Sequence, residues 1–107
     1  MKILITGNAG MIGVAVEEIL RDGGHEIIGF DIKNGQDILN QQQVRDYIQG
    51  CDAVVHLAAL LGHAEDDAND IMAVNLLGTW HILTVALEAK IKRVVFFSTL
   101  FVATGKQ

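Results

Sequence analysis

Thr6-Gly7-Asn8-Ala9-Gly10-Met11-Ile12-Gly13 decides how this chain is read. It follows an apolar run, Ile3-Leu4-Ile5, and it opens a segment with helical periodicity. Strand, glycine turn and helix, in that order, are the setting of a dinucleotide-binding loop. Gly7 lets the chain turn sharply off the strand. Gly10 removes a side chain where the backbone must come close to a pyrophosphate. Gly13 lets the helix pack closely on the strand. The N–H groups at the helix start, around Met11 and Ile12, then face the phosphates with the positive end of the helix dipole behind them.

The spacing separates this loop from others. Its glycines are three apart each time, whereas G-x-G-x-x-G has its first two glycines only two apart. No Gly-Lys-Ser/Thr occurs, which excludes a Walker-type phosphate loop. T-G-x-x-G-x-x-G resembles the loop of the short-chain dehydrogenase/reductase superfamily. With Ile12 before the last glycine it is most similar to the extended branch, the NAD-dependent nucleotide-sugar epimerases and dehydratases.

Working outward, Lys2–Ile5 reads as a buried strand and Met11–Arg21 as a helix. Ile12, Ala15, Val16, Ile19 and Leu20 form its apolar face, and Gly23-Gly24 stops it. Glu26–Phe30 is the second strand, and Asp31 ends it. An acid at this strand tip, about 20 residues past the glycines, accepts hydrogen bonds from the adenosine ribose hydroxyls. The same carboxylate repels a 2′-phosphate, which favours NAD over NADP. Asp31 read alone is also an ordinary strand-end turn residue. Asn40–Gln49 is a short helix with Asn40 and Gln43 as a capping pair and Gly50 as its stop. Asp52–His56 is the third strand.

The polar stretch Gly62–Asp70 reads as a solvated helix start rich in acids, not as a metal site. A long helix follows, from about Asn69 to Lys90. Met72, Leu76, Trp80, Leu83 and Leu87 run along it as one stripe, widened by Val74, Leu77, Ile82, Val85 and Ala86. Val94–Ser98 is the fourth strand, apolar on both faces as a covered parallel strand should be. The expectation is a Rossmann-type α/β fold, three-layered, with a parallel sheet in the order 3-2-1-4, truncated after strand four.

The resemblance extends along most of the chain and adds site residues. Asp37-Ile38 is similar to the Asp-Ile/Val pair that the extended family places beside the adenine; read alone, Asp37 is equally a solvated loop carboxylate. Leu57-Ala58-Ala59 matches the tripeptide beneath the nicotinamide half of the cofactor. Val74-Asn75-Leu76-Leu77-Gly78-Thr79 matches V-N-x-x-G-T, whose asparagine braces the cofactor site; a core amide satisfied by backbone is the other reading of Asn75. The resemblance implies hydride transfer between a sugar carbon and the nicotinamide, with Thr99 orienting the hydroxyl to be oxidised. It also calls for a Tyr-x-x-x-Lys pair as general base. The one tyrosine is Tyr47, four residues before Cys51, so the pair is absent here. The family's Val-Tyr-Gly is replaced by Val102-Ala103-Thr104.

Composition bounds the rest. The 107 residues suit one NAD-binding Rossmann domain, residues 1–107, without the substrate-binding C-terminal part. A net charge of −5 without a basic stripe excludes a nucleic-acid partner. No apolar run approaches the roughly 20 residues of a membrane span, and Met1-Lys2 leads straight into a strand instead of a signal peptide. The lone Cys51 permits no intrachain disulfide and fits a reducing cytoplasm. The expected partners are NAD(H) and a nucleotide sugar. The chain would also form a homodimer through the apolar edge Val94–Phe97 or by exchange of the tail Leu100–Gln107. Three functional readings stay open: an inactive cofactor-binding half, an enzyme completed by another chain, and a nucleotide-binding regulatory module.

Overall fold

The computed structural model describes residues 1–58 and 73–97. Its strands are β1 (Lys2–Thr6), β2 (Glu26–Phe30), β3 (Ala53–His56) and β4 (Arg93–Phe96). Its helices are α1 (Met11–Asp22), α2 (Gln41–Ile48) and α3 (Gly78–Glu88). A π-helical turn, Ala73–Leu77, runs directly into α3. All pairings are parallel: Lys2 faces Glu26, Ile3 faces Ala53, and Ala53 faces Arg93.

The local signals explain the element ends. Gly24, with φ +89°, closes α1 where other residues would be strained. Asn40 Oδ1 accepts from the Gln43 N–H at 3.0 Å and caps α2. Gln43 does not complete a reciprocal box; its Oε1 accepts from the Asp37 N–H at 2.7 Å instead.

The strand order is 2-1-3-4, which corrects the expected 3-2-1-4. The reason is handedness. Helix α1 covers one face of the sheet, where Val16 and Leu20 pack on Ile3, Ile5, Ile27 and Ala53. Helix α2 lies on the other face, where Val44 and Ile48 share a core with Leu4, Phe30, Val54 and Ile82. A right-handed crossover on the opposite face must step in the opposite direction along the sheet. The chain leaving β2 therefore passes β1 and delivers β3 to its far side. No strand forms between β2 and α2, where Ile32–Asn34 make a 3₁₀ turn that Gly35 ends at φ +78°. The carboxyl end of β1, flanked by β2 and β3, becomes the point where strand order reverses and a crevice opens.

Two apolar faces also differ from expectation. On α1, Ile12 is 58% and Ile19 is 69% exposed, so only part of the assigned face is core. On α3 the buried side is Gly78, Ile82, Val85 and Ala86. The stripe Leu76, Trp80, Leu83 and Leu87 faces outward, because the helix can turn only one side to the sheet and the shorter, branched residues fit there. Met72 and the start of that helix lie outside the described residues. Accordingly, Ile82→Ala should cost about 2–5 kcal/mol in urea unfolding, while Leu87→Ala should change stability by no more than about 0.5 kcal/mol. The reverse ranking would mean that the helix is rotated.

Candidate functional site

The carboxyl ends of β1, β2 and β3 converge on the glycine loop. Gly7 has φ +76°, and a Cβ there would stand 2.9 Å from the Ala58 nitrogen. Its N–H donates to the Phe30 carbonyl at 2.7 Å. Gly7 thus lets the loop lie against the exit of β3 while bonded to the tip of β2. A Cβ on Gly13 would collide with the Gly7 carbonyl and the Asn8 backbone. At Gly13, therefore, the helix is packed on the loop itself, and its contact with the strand comes further on, through Val16 and Leu20.

Gly10 is different. It precedes α1 in extended conformation, φ −78° and ψ 173°, which any residue adopts. A Cβ there would meet only the Gly7 carbonyl, at an ordinary 3.5 Å. Nothing among the described residues demands glycine at this position. The helix start beneath it carries no side-chain cap and no acid in its first turn. Amides at such a start are suited to an anion. The residues present fit a pyrophosphate: an unobstructed surface above free helix amides, with the dipole behind them.

Asp31 is 7% exposed. Its Oδ2 accepts from the Ala9 N–H at 2.9 Å and its Oδ1 from the Lys33 N–H at 2.8 Å. The carboxylate staples the glycine loop to the tip of β2, a duty that sequence did not reveal. Each oxygen keeps a lone pair for a further donor such as a ribose hydroxyl. Lys33 Nζ lies 3.4 Å from the Ala9 carbonyl, on the rim of the same loop.

Asp37 is exposed, and its Oδ1 accepts from the Leu39 N–H at 2.9 Å, closing the turn before α2. The Ile38 side chain is core, packed against Gly78, where a Cβ would come within 2.9 Å of it. Only the Ile38 backbone is left to act at the site. Its carbonyl accepts from His81 Nδ1 at 3.0 Å, which ties this loop to α3. Leu57 and Ala58 lie under the loop, where both N–H groups donate to Thr6 Oγ1, at 3.0 and 3.2 Å. Ala59 and Thr99 fall outside the described residues. Asn75 sits in the π-helical turn, and its carbonyl accepts from Thr79 Oγ1 at 2.8 Å. Beside it Leu76, Leu77, Trp80 and Leu83 line an open apolar groove.

His56, the last residue of β3, connects these parts, and its place at the end of an apolar strand was the only sign of this in the sequence. The ring is 5% exposed. Nδ1 is 2.6 Å from Thr6 Oγ1, and Nε2 is 3.3 Å from Thr79 Oγ1. Phe96 meets it edge-on, with ring centroids 5.6 Å apart. Burial pushes its pKa down to about 4.

The sequence profile of the NAD dependent epimerase/dehydratase family matches residues 3–106. This chain belongs to that family. YtcB of Bacillus subtilis, described as an uncharacterized UDP-glucose epimerase, is 31% identical over all of this chain and 42% of its own length. Cinnamoyl-CoA reductase 1 of Petunia hybrida is 29% identical over 92% of this chain and 35% of its own. Among solved structures, a short-chain dehydrogenase/reductase superfamily protein from Agrobacterium tumefaciens with bound NAD superposes with a TM-score of 0.87. It shares 35% identity and covers 100% of this chain and 35% of its own. The UDP-glucose 4-epimerase of Thermus thermophilus in complex with NAD gives 0.81, at 27% identity, over 92% of this chain and 38% of its own. The chain thus spans well under half the length of these relatives. Family, Rossmann-like fold and NAD dependence of the family agree with the reading of the glycine spacing. No helix among the described residues is long and apolar enough to cross a membrane.

The lowered pKa of His56 has a stability consequence. The unfolded imidazole titrates near about 6.5, so between there and about 4 the unfolded chain binds a proton that the folded chain refuses. Stability is then full above the unfolded value and declines as pH falls through this window, by on the order of 3 kcal/mol. Urea unfolding of the wild type and His56→Gln across pH 4–7 should show this slope in the wild type alone.

Proposed function

We propose that this chain is the NAD(H)-binding portion of an epimerase/dehydratase-type oxidoreductase acting on a nucleotide sugar. The observation that carries the reading is Gly10: the protein's own packing leaves room for a side chain there, directly above uncapped helix amides. In this reading the pyrophosphate lies over Gly10, Met11 and Ile12, and the adenosine ribose rests on Asp31. The adenine lies beside Asp37 and the Ile38 backbone. The other half of the dinucleotide runs over Leu57, Ala58 and Ala59 toward Asn75. When bound, NAD supplies a hydride acceptor. The nucleotide sugar is supported by relatives described as UDP-glucose epimerases. Thr99 is assigned to orient the substrate hydroxyl.

The general base is not among these residues. Tyr47, the single tyrosine, packs edge-on against Phe30 at 5.5 Å on the α2 side of the sheet. The proposal therefore assigns binding to this chain and completion of the proton relay to residues outside this sequence.

Titration calorimetry tests the binding. Wild type should bind NAD, and bind NADP more weakly because Asp31 repels a 2′-phosphate. Gly10→Ala should keep its stability within about 1 kcal/mol, since its backbone and surroundings admit a methyl group. It should nevertheless lose at least about tenfold in NAD affinity, because the methyl occupies the pyrophosphate's place. Folded wild type that ignores NAD, or an unchanged affinity in Gly10→Ala, would overturn the reading.

Self-association through β4 belongs to the same proposal. Among the described residues β4 pairs on one side only, and Val95 and Phe97 are 50% and 52% exposed. Such an edge is a template for another strand. Light scattering should give a dimer mass, and a clean monomer at high micromolar concentration would refute it.

A further inference from the structure

The hydrogen atoms of the Thr6–His56–Thr79 chain can be placed by counting. A hydroxyl has one donor and two lone pairs. Thr6 Oγ1 is approached by the Leu57 and Ala58 N–H groups, the former shared with the Thr6 carbonyl at 3.0 Å. Its lone pairs are taken, so its own O–H must donate to His56 Nδ1. The neutral ring then carries its proton on Nε2, and this N–H donates to Thr79 Oγ1. The Thr79 O–H in turn donates to the Asn75 carbonyl. Every bond points the same way, from the amides that follow β3 to the turn that holds Asn75. Burial, which pushes the pKa of the ring down, keeps it in the neutral form that this count assumes.

The ends of this chain are what matter. Asp31, just past the end of β2, lies on one side of β1, and β3 lies on the other. With the pyrophosphate at the tip of β1 and the adenosine on Asp31, the second half of a dinucleotide must cross toward β3. It then meets the Leu57–Ala58 backbone and the Asn75 turn. That turn is π-helical, a wide and less stable winding that recurs at functional sites. Thr79 Oγ1 fastens its carbonyl from below. A buried imidazole is costly in a core where an apolar side chain would serve packing equally well, unless its bonds are used.

The geometry points to His56 as a positioning residue for the half of the dinucleotide that lies beyond the pyrophosphate, acting through Thr6 on the Leu57–Ala58 amides and through Thr79 on the Asn75 turn. This rests on the NAD reading above. His56 touches no ligand in this scheme. It sets the spacing between two backbone segments that do.

The test uses two ligands on the full chain. AMP probes the adenosine half alone, and NAD probes both halves. Thr79→Val removes the link to Asn75 at constant shape. It should weaken NAD about three- to tenfold, the loss of one well-made hydrogen bond, and leave AMP affinity unchanged. Thr79→Ser should restore NAD affinity. In a His56→Phe background Thr79→Val should cost less than in the wild type, because the link from Thr79 back to Thr6 is already cut and only its bond to the Asn75 carbonyl remains to lose. If His56→Phe fails to fold, the Val and Ser pair at position 79 still decides the matter. NAD affinity untouched by Thr79→Val, or AMP and NAD weakened equally, would overturn the positioning role while the NAD reading stood. Wild type that binds neither ligand would remove both.

Discussion

Three backbone segments cross at the end of β1 with no room for side chains between them. The loop at Gly7 lies against the Leu57–Ala58 backbone, and Gly13 brings α1 down onto that same loop. Everything at the site depends on this close approach. It sets the start of α1 directly over the carboxyl end of the sheet, so that helix amides and strand ends face one space. Any Cβ at Gly7 or Gly13 would push the layers apart and carry the helix away from the tip of β2. Gly10, in the same motif, is under no such pressure. The contrast within one loop separates glycines that the packing requires from one that it does not.

Hydrogen bonds fix most of the polar groups around this crossing, although Asn8 Oδ1 is buried without a partner among the described residues. Asp31 holds the loop through Ala9 and the following turn through Lys33. Asn8 donates to Glu17 at 3.1 Å across the first turns of α1, and this bond with that from Arg21 holds the Glu17 carboxyl below its usual range. A buried polar group without a partner would cost about 1–3 kcal/mol, so these side chains are constrained to single arrangements.

The outer surface has a different character. Trp80, Leu83 and Leu87 on α3, with Val95 and Phe97 at β4, are exposed together on the half of the molecule away from β2. In the relatives, which are more than twice as long, the corresponding region is followed by further chain. Among the described residues both outer strands, β2 and β4, pair on one side only, and it is the β4 side that adds exposed apolar surface.

Local chemistry was enough to establish the strand, glycine turn and helix, the placement of α2 and of the four strands, and the family, because these follow from short-range patterns. Apolar runs, a cap at Asn40 and a glycine every third residue need no partner to be recognised. The roles of Gly7, Gly10, Gly13 and Asp31 as neighbours at one end of the sheet followed from the same motif. Strand order did not, because the direction of a crossover depends on which face of the sheet a helix covers, and α2 carries no mark of that choice. The core face of α3 was misread for a related reason: its residues are apolar nearly all round, so periodicity could not tell Ile82 from Leu87. The double duty of Asp31, the burial of Ile38 and the bridging role of His56 were decided by tertiary packing alone. Thr6, His56 and Thr79 are far apart in the chain; the parallel pairing of β1 with β3 sets Thr6 beside His56, and the packing of α3 on the sheet brings Thr79 to the same ring.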